Sequence, residues 1–193
     1  MVVLGITGRI ASGKSTVSRY IKKIKKNTLI LDVDKVAKNI YSKNPEILNE
    51  LRKIFGDEVF NSDGDLIYKS LAEKVFSSKT ELEKLNRLMF PLIRSEVKNI
   101  LNENRDKNYI IIEAAILFDC KLDLMCDHII LVDTSDGRRE IFLKNKNFLD
   151  DDVELRIEGQ HIKINRKKVN FIINNNNSKE SLLKKVEKIF KNI

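Results

Sequence analysis

The sequence predicts an α/β protein: a five-stranded parallel sheet with helices on both faces. Three observations carry this. Five short apolar runs are spaced along the 193 residues, helix-period patterns separate them, and the first run feeds a glycine-rich turn that opens at once into an amphipathic segment. Strands alternating with helices imply crossover connections, and crossovers give a parallel sheet covered on both sides. Ligands of such folds bind beyond the carboxyl ends of the strands.

The first strand is read at 2–7, followed by a helix over 15–26 with Val17, Tyr20, Ile21 and Ile24 on one side and Lys22, Lys23, Lys25 and Lys26 on the other. Thr28–Asp32 is the second strand, Tyr109–Glu113 the third, 128–133 the fourth and 169–173 the fifth. Between the second and third lies a stretch, about 34–108, too long for one crossover helix. Pro45, Gly56, Asp63-Gly64 and Pro91 divide it into several helices, the longest over 81–104 with Pro91 as its start or a kink. We read this stretch as a helical, substrate-binding insert within a single domain spanning 1–193. A second excursion, about 136–168, is rich in Arg and Lys and fits a mobile lid. Asn174–Asn177 reads as a turn, and 179–193 as a closing helix.

Composition excludes several classes. No apolar stretch approaches the roughly 20 residues of a membrane helix, and the chain opens directly on a strand with no room for a leader; the expected compartment is the cytoplasm. Cys120 and Cys126 are wrongly spaced for a CxxC motif and read as reduced, buried thiols, while His128 and His161 do not make a ligand set. The net charge of +8 comes with 26 lysines spread along the whole chain rather than gathered with aromatics in one patch. That argues for solvated faces and against a nucleic-acid partner.

The chemistry is concentrated at Gly8-x4-Gly13-Lys14-Ser15. A glycine-rich turn between strand and helix points successive N–H groups inward at a helix N-terminus, which favours a polyphosphate. Gly8, Ala11, Ser12, Gly13, Lys14, Ser15 and Thr16 are therefore the candidates for holding a nucleotide's phosphates, with Lys14 reaching the β- and γ-phosphates and the Ser15 hydroxyl on Mg²⁺. Phosphoryl transfer also needs a group that takes the acceptor's proton. Asp32 and Asp34 close the second strand and share a face there; one binds metal or holds the fold, the other orients the attacking hydroxyl. Asp34 can cap a helix over 35–42 and still serve in this role, and as a pair beside the glycine-rich turn the two carboxylates are better read as functional. Glu113 ends the third strand, either as a Mg²⁺ holder through water or as a cap. Of the lid charges Arg138, Arg139, Lys144 and Lys146, one or two steady the transferring group and the rest are solvated.

Several blocks in order resemble the dephospho-CoA kinase family, P-loop kinases of the nucleoside monophosphate kinase type. They are Gly5–Gly8 with Ser12–Thr16, Asp32–Lys35, Phe55-Gly56 with Asp63-Gly64 and 71–76, Pro91–Ile93, Arg156-Ile157 with Gln160, and the strand into Asn174. The resemblance implies transfer of the ATP γ-phosphate to the ribose 3′-hydroxyl of dephospho-CoA, with Asp34 as base. It also shows departures. Ala11 replaces a usual glycine, Lys38 and Tyr68 stand at arginine-like positions, Phe90 precedes Pro91 in place of histidine, Glu113–Asp119 departs from its usual block, and Phe142 and Lys146 stand where lid arginines are usual. Arg94, Arg138 and Arg139 are the cations available to compensate, and Lys38 and Glu113 join Asp32 as substrate-side candidates. Another small-metabolite kinase, for a nucleoside or sugar, and a nucleotide-binding protein without transfer remain the alternatives. A GTPase is disfavoured because Val132–Ser135 offers no guanine-reading motif.

Overall fold

The computed structural model describes residues 1–144 and 162–191. Five strands, β1 (Val2–Thr7), β2 (Thr28–Asp32), β3 (Tyr109–Glu113), β4 (His128–Asp133) and β5 (Phe171–Asn174), form one sheet in the order β2-β3-β1-β4-β5. Every neighbouring pair is parallel. The expected α/β architecture is what the chain adopts.

The chain divides into two compact units, residues 1–33 with 98–193, and residues 34–97. In the first, α1 (Lys14–Ile24) and α7 (Lys179–Ile189) cover one face of the sheet. Val17 and Ile21 of α1 meet Leu182 and Val186 of α7 over Leu4, Ile6, Ile111, Ile130, Val132 and Ile173. Alternate strand residues supply that layer, as the two-residue strand period requires. Ile24, read as part of the apolar side, instead ends α1 with over a third of its surface exposed. On the opposite face, space left by the missing side chain of Gly5 is filled by Cys126 and Leu117. There the last turns of α5 (Lys79–Glu103) bring Leu101 beside Val3. Cys120 is buried, Cys126 is partly buried, and both are free thiols.

The second unit contains α2 (Val33–Lys43, from its second residue on), α3 (Pro45–Phe55), α4 (Tyr68–Phe76) and the first part of α5. Leu51 and Phe55 of α3 and Leu71 and Val75 of α4 are buried, as are Val59 and Phe60 of the connecting turn. That turn is closed by a Phe60–Leu66 bridge, with Gly64 at φ 86°.

Several element boundaries differ from expectation, three of them informatively. α2 begins at Val33, directly on the end of β2, so Asp34 lies in a first helical turn and neither shares a strand face with Asp32 nor caps a helix starting at 35. A carboxylate in a first turn is favoured by the helix dipole. Pro91 lies inside α5 and does not start it. β5 begins at Phe171 because Asn170 brackets Ile129 with its backbone N–H and its side-chain oxygen, ending the regular ladder there. In the 136–168 excursion α6 spans Asp136–Lys144; Lys146, His161 and the Arg156–Gln160 block lie outside the described residues.

Candidate phosphate-binding site

The site is built by the turn between β1 and α1. Gly8 has φ 147° and Gly13 φ 99°, conformations that side-chain-bearing residues avoid. Close packing enforces both: a Cβ on Gly8 would sit 2.3 Å from the Val132 carbonyl oxygen, and one on Gly13 would sit 2.4 Å from Asn175 Nδ2. Ala11 also occupies the left-handed region, at φ 57°. Its methyl group therefore carries a strain of about 1–2 kcal/mol that glycine would avoid. Gly13 caps α1 through its carbonyl, which accepts from the N–H groups of Thr16 and Val17.

Lys14 opens α1, and its ammonium donates to the carbonyls of Gly8 and Arg9, at 3.1 Å each, so it arches back over the turn. Ser15 follows, and its hydroxyl donates to Glu113 Oε1. Glu113 is only 8 % exposed. It stands in register with Asp32 on β2 and Ile6 on β1, so the carboxyl ends of three strands converge beside the loop. Ser15, Glu113 and Asp32 present oxygen donors alone, the set that suits Mg²⁺. Among the described residues no cluster of three or more His, Cys, Asp or Glu offers a metal cage. Any Mg²⁺ there would complete its shell with phosphate oxygens and water, as Mg²⁺ does elsewhere.

Two residues that sequence reasoning missed hold the loop from behind. Thr134 Oγ1 and Asn175 Nδ2 both donate to the Ser12 carbonyl, at 2.8 and 2.9 Å, and both residues are buried. Asn175 is fixed in turn by its N–H, which donates to the Asp133 carbonyl. The signal was hidden because Asn175 sits in a run of four asparagines that reads as a plain turn. The Ser12 hydroxyl is buried without a hydrogen-bond partner.

The lid candidates fall into two kinds. Arg139 is 1 % exposed and donates to Asp136 Oδ1 at 2.7 Å, while its Nε and Nη1 are buried and unpaired. Arg9 of the loop approaches the same carboxylate oxygen at 3.6 Å. These cations, Arg139 foremost, hold the Asp136 carboxyl below the usual carboxylate range. Arg138 lies over the Phe142 ring, 5.2 Å from its centroid, and donates to the Asn177 carbonyl. Lys144 pairs with Glu140 on the surface, a solvated helix pair. Beside Arg9, a cavity of about 430 Å³ opens at the ends of β4 and β5, lined by Asp133, Ser135, Ile162, Ile164, Arg166 and Asn176 among others.

In the second unit, Asp34 and Lys38 lie one turn apart on α2, and the Lys38 ammonium stands 5.7 Å from the centre of the Tyr68 ring. No helix among the described residues is long and apolar enough to cross a membrane.

Comparison with known proteins adds four findings. The family model for dephospho-CoA kinase matches residues 2–181. A dephospho-CoA kinase of Fusobacterium nucleatum is 34 % identical over 196 residues, covering 100 % of this chain and 99 % of that protein. Among solved structures, a Thermus thermophilus protein superposes with a TM-score of 0.79 at 24 % identity, covering 99 % of this chain and 96 % of its own. A Campylobacter jejuni dephospho-CoA kinase does so with a TM-score of 0.64 at 21 % identity, covering 98 % and 95 %. The two structures establish the fold, and the family match establishes kinship: the chain belongs to the dephospho-CoA kinase family, P-loop kinases that draw phosphate from a nucleotide.

Proposed function

We propose that the protein transfers the γ-phosphate of ATP to the ribose 3′-hydroxyl of dephospho-CoA, giving CoA and ADP. The observation that carries this is the loop itself: Lys14 arched over a glycine turn, with the Ser15 hydroxyl on a nearly buried Glu113 at the strand ends, in a chain matched by the family model over residues 2–181.

In this reading residues 8–16 hold the triphosphate, and the Ser12 hydroxyl is a donor that nucleotide binding satisfies. The cavity beside Arg9 receives the nucleoside part of ATP. Ser15 and Glu113, with Asp32 behind, would hold Mg²⁺, which when bound would supply charge neutralisation to the phosphates. The substrate's 3′-oxygen forms the new bond to the γ-phosphorus, and the bond to the β,γ-bridging oxygen breaks as ADP leaves. The hydroxyl proton passes to the Asp34 carboxylate. Lys14, with Arg138, Arg139 and Lys146 of the lid, stabilises the charge that builds on the phosphoryl oxygens. Lys38 works on the substrate side, in the helical insert of 34–108; 136–168 is the lid. The enzyme works in the cytoplasm as a monomer or small homo-oligomer, without nucleic acid or membrane.

Two substitutions test the roles. Lys14→Ala should remove most activity by weakening phosphate binding. Asp34→Asn should leave the dissociation constant for ATP unchanged and lower turnover about a hundredfold or more, the usual size of a general-base contribution. Turnover at the wild-type rate in Asp34→Asn removes Asp34 from the role of base.

A further inference from the structure

The helix α2 carries Asp34, Lys38 and Tyr41 at positions i, i+4 and i+7, one stripe of its surface. At the far end of that stripe stands Tyr68, the first residue of α4. Its ring lies 6.0 Å from that of Tyr41, with the planes at 63°, an edge-to-face contact. Tyr41 is buried, and burial, with Tyr68 beside it, pushes its hydroxyl up to about 12, so this supporting ring stays neutral. Lys38 places its ammonium 5.7 Å from the Tyr68 ring centre. Yet Tyr68 remains 45 % exposed, and Ile67 before it is exposed as well.

A tyrosine braced by a buried ring on one side, attended by a cation and half open to solvent, is a prepared flat surface. Rings presented in this way accept planar heteroaromatic groups by stacking, with little ordering left to do on binding. The adjacent ammonium adds attraction for a partner that also carries phosphate. Along α2, Asp34 and Tyr41, the ring that braces Tyr68, are about 10 Å apart along the axis, on the order of the length of a nucleoside.

We propose that Tyr68, braced by Tyr41 and flanked by Lys38, is the platform on which the adenine of the phosphate acceptor stacks, so that it sets specificity for a nucleotide-bearing acceptor. This rests on the acceptor being dephospho-CoA. Stacking places the base at the Tyr68 end of the stripe and leaves the ribose toward Asp34.

The test compares Tyr68→Ala and Tyr68→Phe with the wild type. Because Tyr68 is half exposed, both variants should melt at the wild-type temperature. Tyr68→Ala should raise KM for dephospho-CoA about tenfold, within the range for loss of one stacked base, with KM for ATP within twofold. Tyr68→Phe, which keeps the ring, should behave as wild type. The chain has no tryptophan, so tyrosine emission gives a second readout: dephospho-CoA should quench it in the wild type and quench it less in Tyr68→Ala. An unchanged KM for dephospho-CoA in Tyr68→Ala, or an increase for ATP instead, overturns the platform while leaving the proposed reaction standing. A wild-type protein that does not phosphorylate dephospho-CoA sinks the reaction; the platform then stands or falls on the quenching titration alone.

Discussion

Removing both donors that hold the Ser12 carbonyl should cost more than removing each in turn. Thr134→Val deletes the hydroxyl at 2.8 Å and keeps the side-chain shape; Asn175→Ala deletes the amide at 2.9 Å. Either single change leaves the carbonyl one buried partner, so each should destabilise by about 1 kcal/mol, the net worth of a typical hydrogen bond. The double variant leaves a carbonyl between two buried positions without its two side-chain donors. An unsatisfied buried acceptor costs about 1–3 kcal/mol. The pair should therefore lose about 3–4 kcal/mol, with a coupling of about 1–2 kcal/mol beyond the sum. Urea unfolding at constant m-value measures the stability, and KM for ATP reports the loop, because the Ser12 peptide is part of the turn proposed to cradle the triphosphate. Each single variant should raise that KM several-fold and the double variant by more than their product. If the double variant equals the sum within about 0.5 kcal/mol, the limit for independent sites, and KM for ATP does not move, the two residues do not hold the loop.

Further outcomes follow from the same geometry. Ser15→Ala and Glu113→Gln should each raise the Mg²⁺ concentration needed for half-maximal rate, and a Mg²⁺ titration that superposes on the wild type contradicts their role. Burial, with Asp123 and Asp127 nearby, pushes the Cys126 thiol from 9.0 up to about 12. Because the folded-state value lies above the unfolded one, its contribution to stability is present below pH 9 and lost as pH rises from 9 toward 12. The urea midpoint should fall across that window and fall less in Cys126→Ala. At pH 8 a disulfide reagent should label Cys126 slowly in the folded protein and quickly in urea; fast labelling of the folded protein contradicts a thiol shielded by the fold.

Much of the fold was legible because its signals are local. Apolar runs of four to six residues became the strands, four of them at the read limits, since a strand buried on both faces must be continuously apolar. The phosphate loop was legible because Gly8 and Gly13 are demanded by backbone angles that little else adopts. The Ser15–Glu113 contact links residues 98 positions apart, yet the pairing was foreseeable because each closes or follows a strand end. What sequence hid was tertiary or competitive. Asp34 was read at a strand end, but the helix starts a residue or two earlier than its apolar pattern. Arg139 reads in the sequence as one of several lid cations suited to the transferring phosphoryl; only the fold shows that it is buried, with Leu143, on the inner side of α6. Asn175 was masked by its three like neighbours, and only the fold shows which of the four turns inward to Ser12. Tyr68 looked merely like a departure, because its partners on α2 lie some thirty residues away.

The most direct test is ADP release by the purified protein with Mg-ATP, comparing dephospho-CoA with a panel of nucleosides and sugars in one assay. Release should be rapid with dephospho-CoA, with CoA as the product, and with every other acceptor near the rate of ATP hydrolysis alone. Faster turnover of a nucleoside or a sugar, or no turnover of dephospho-CoA by folded protein that binds ATP, contradicts the proposed reaction.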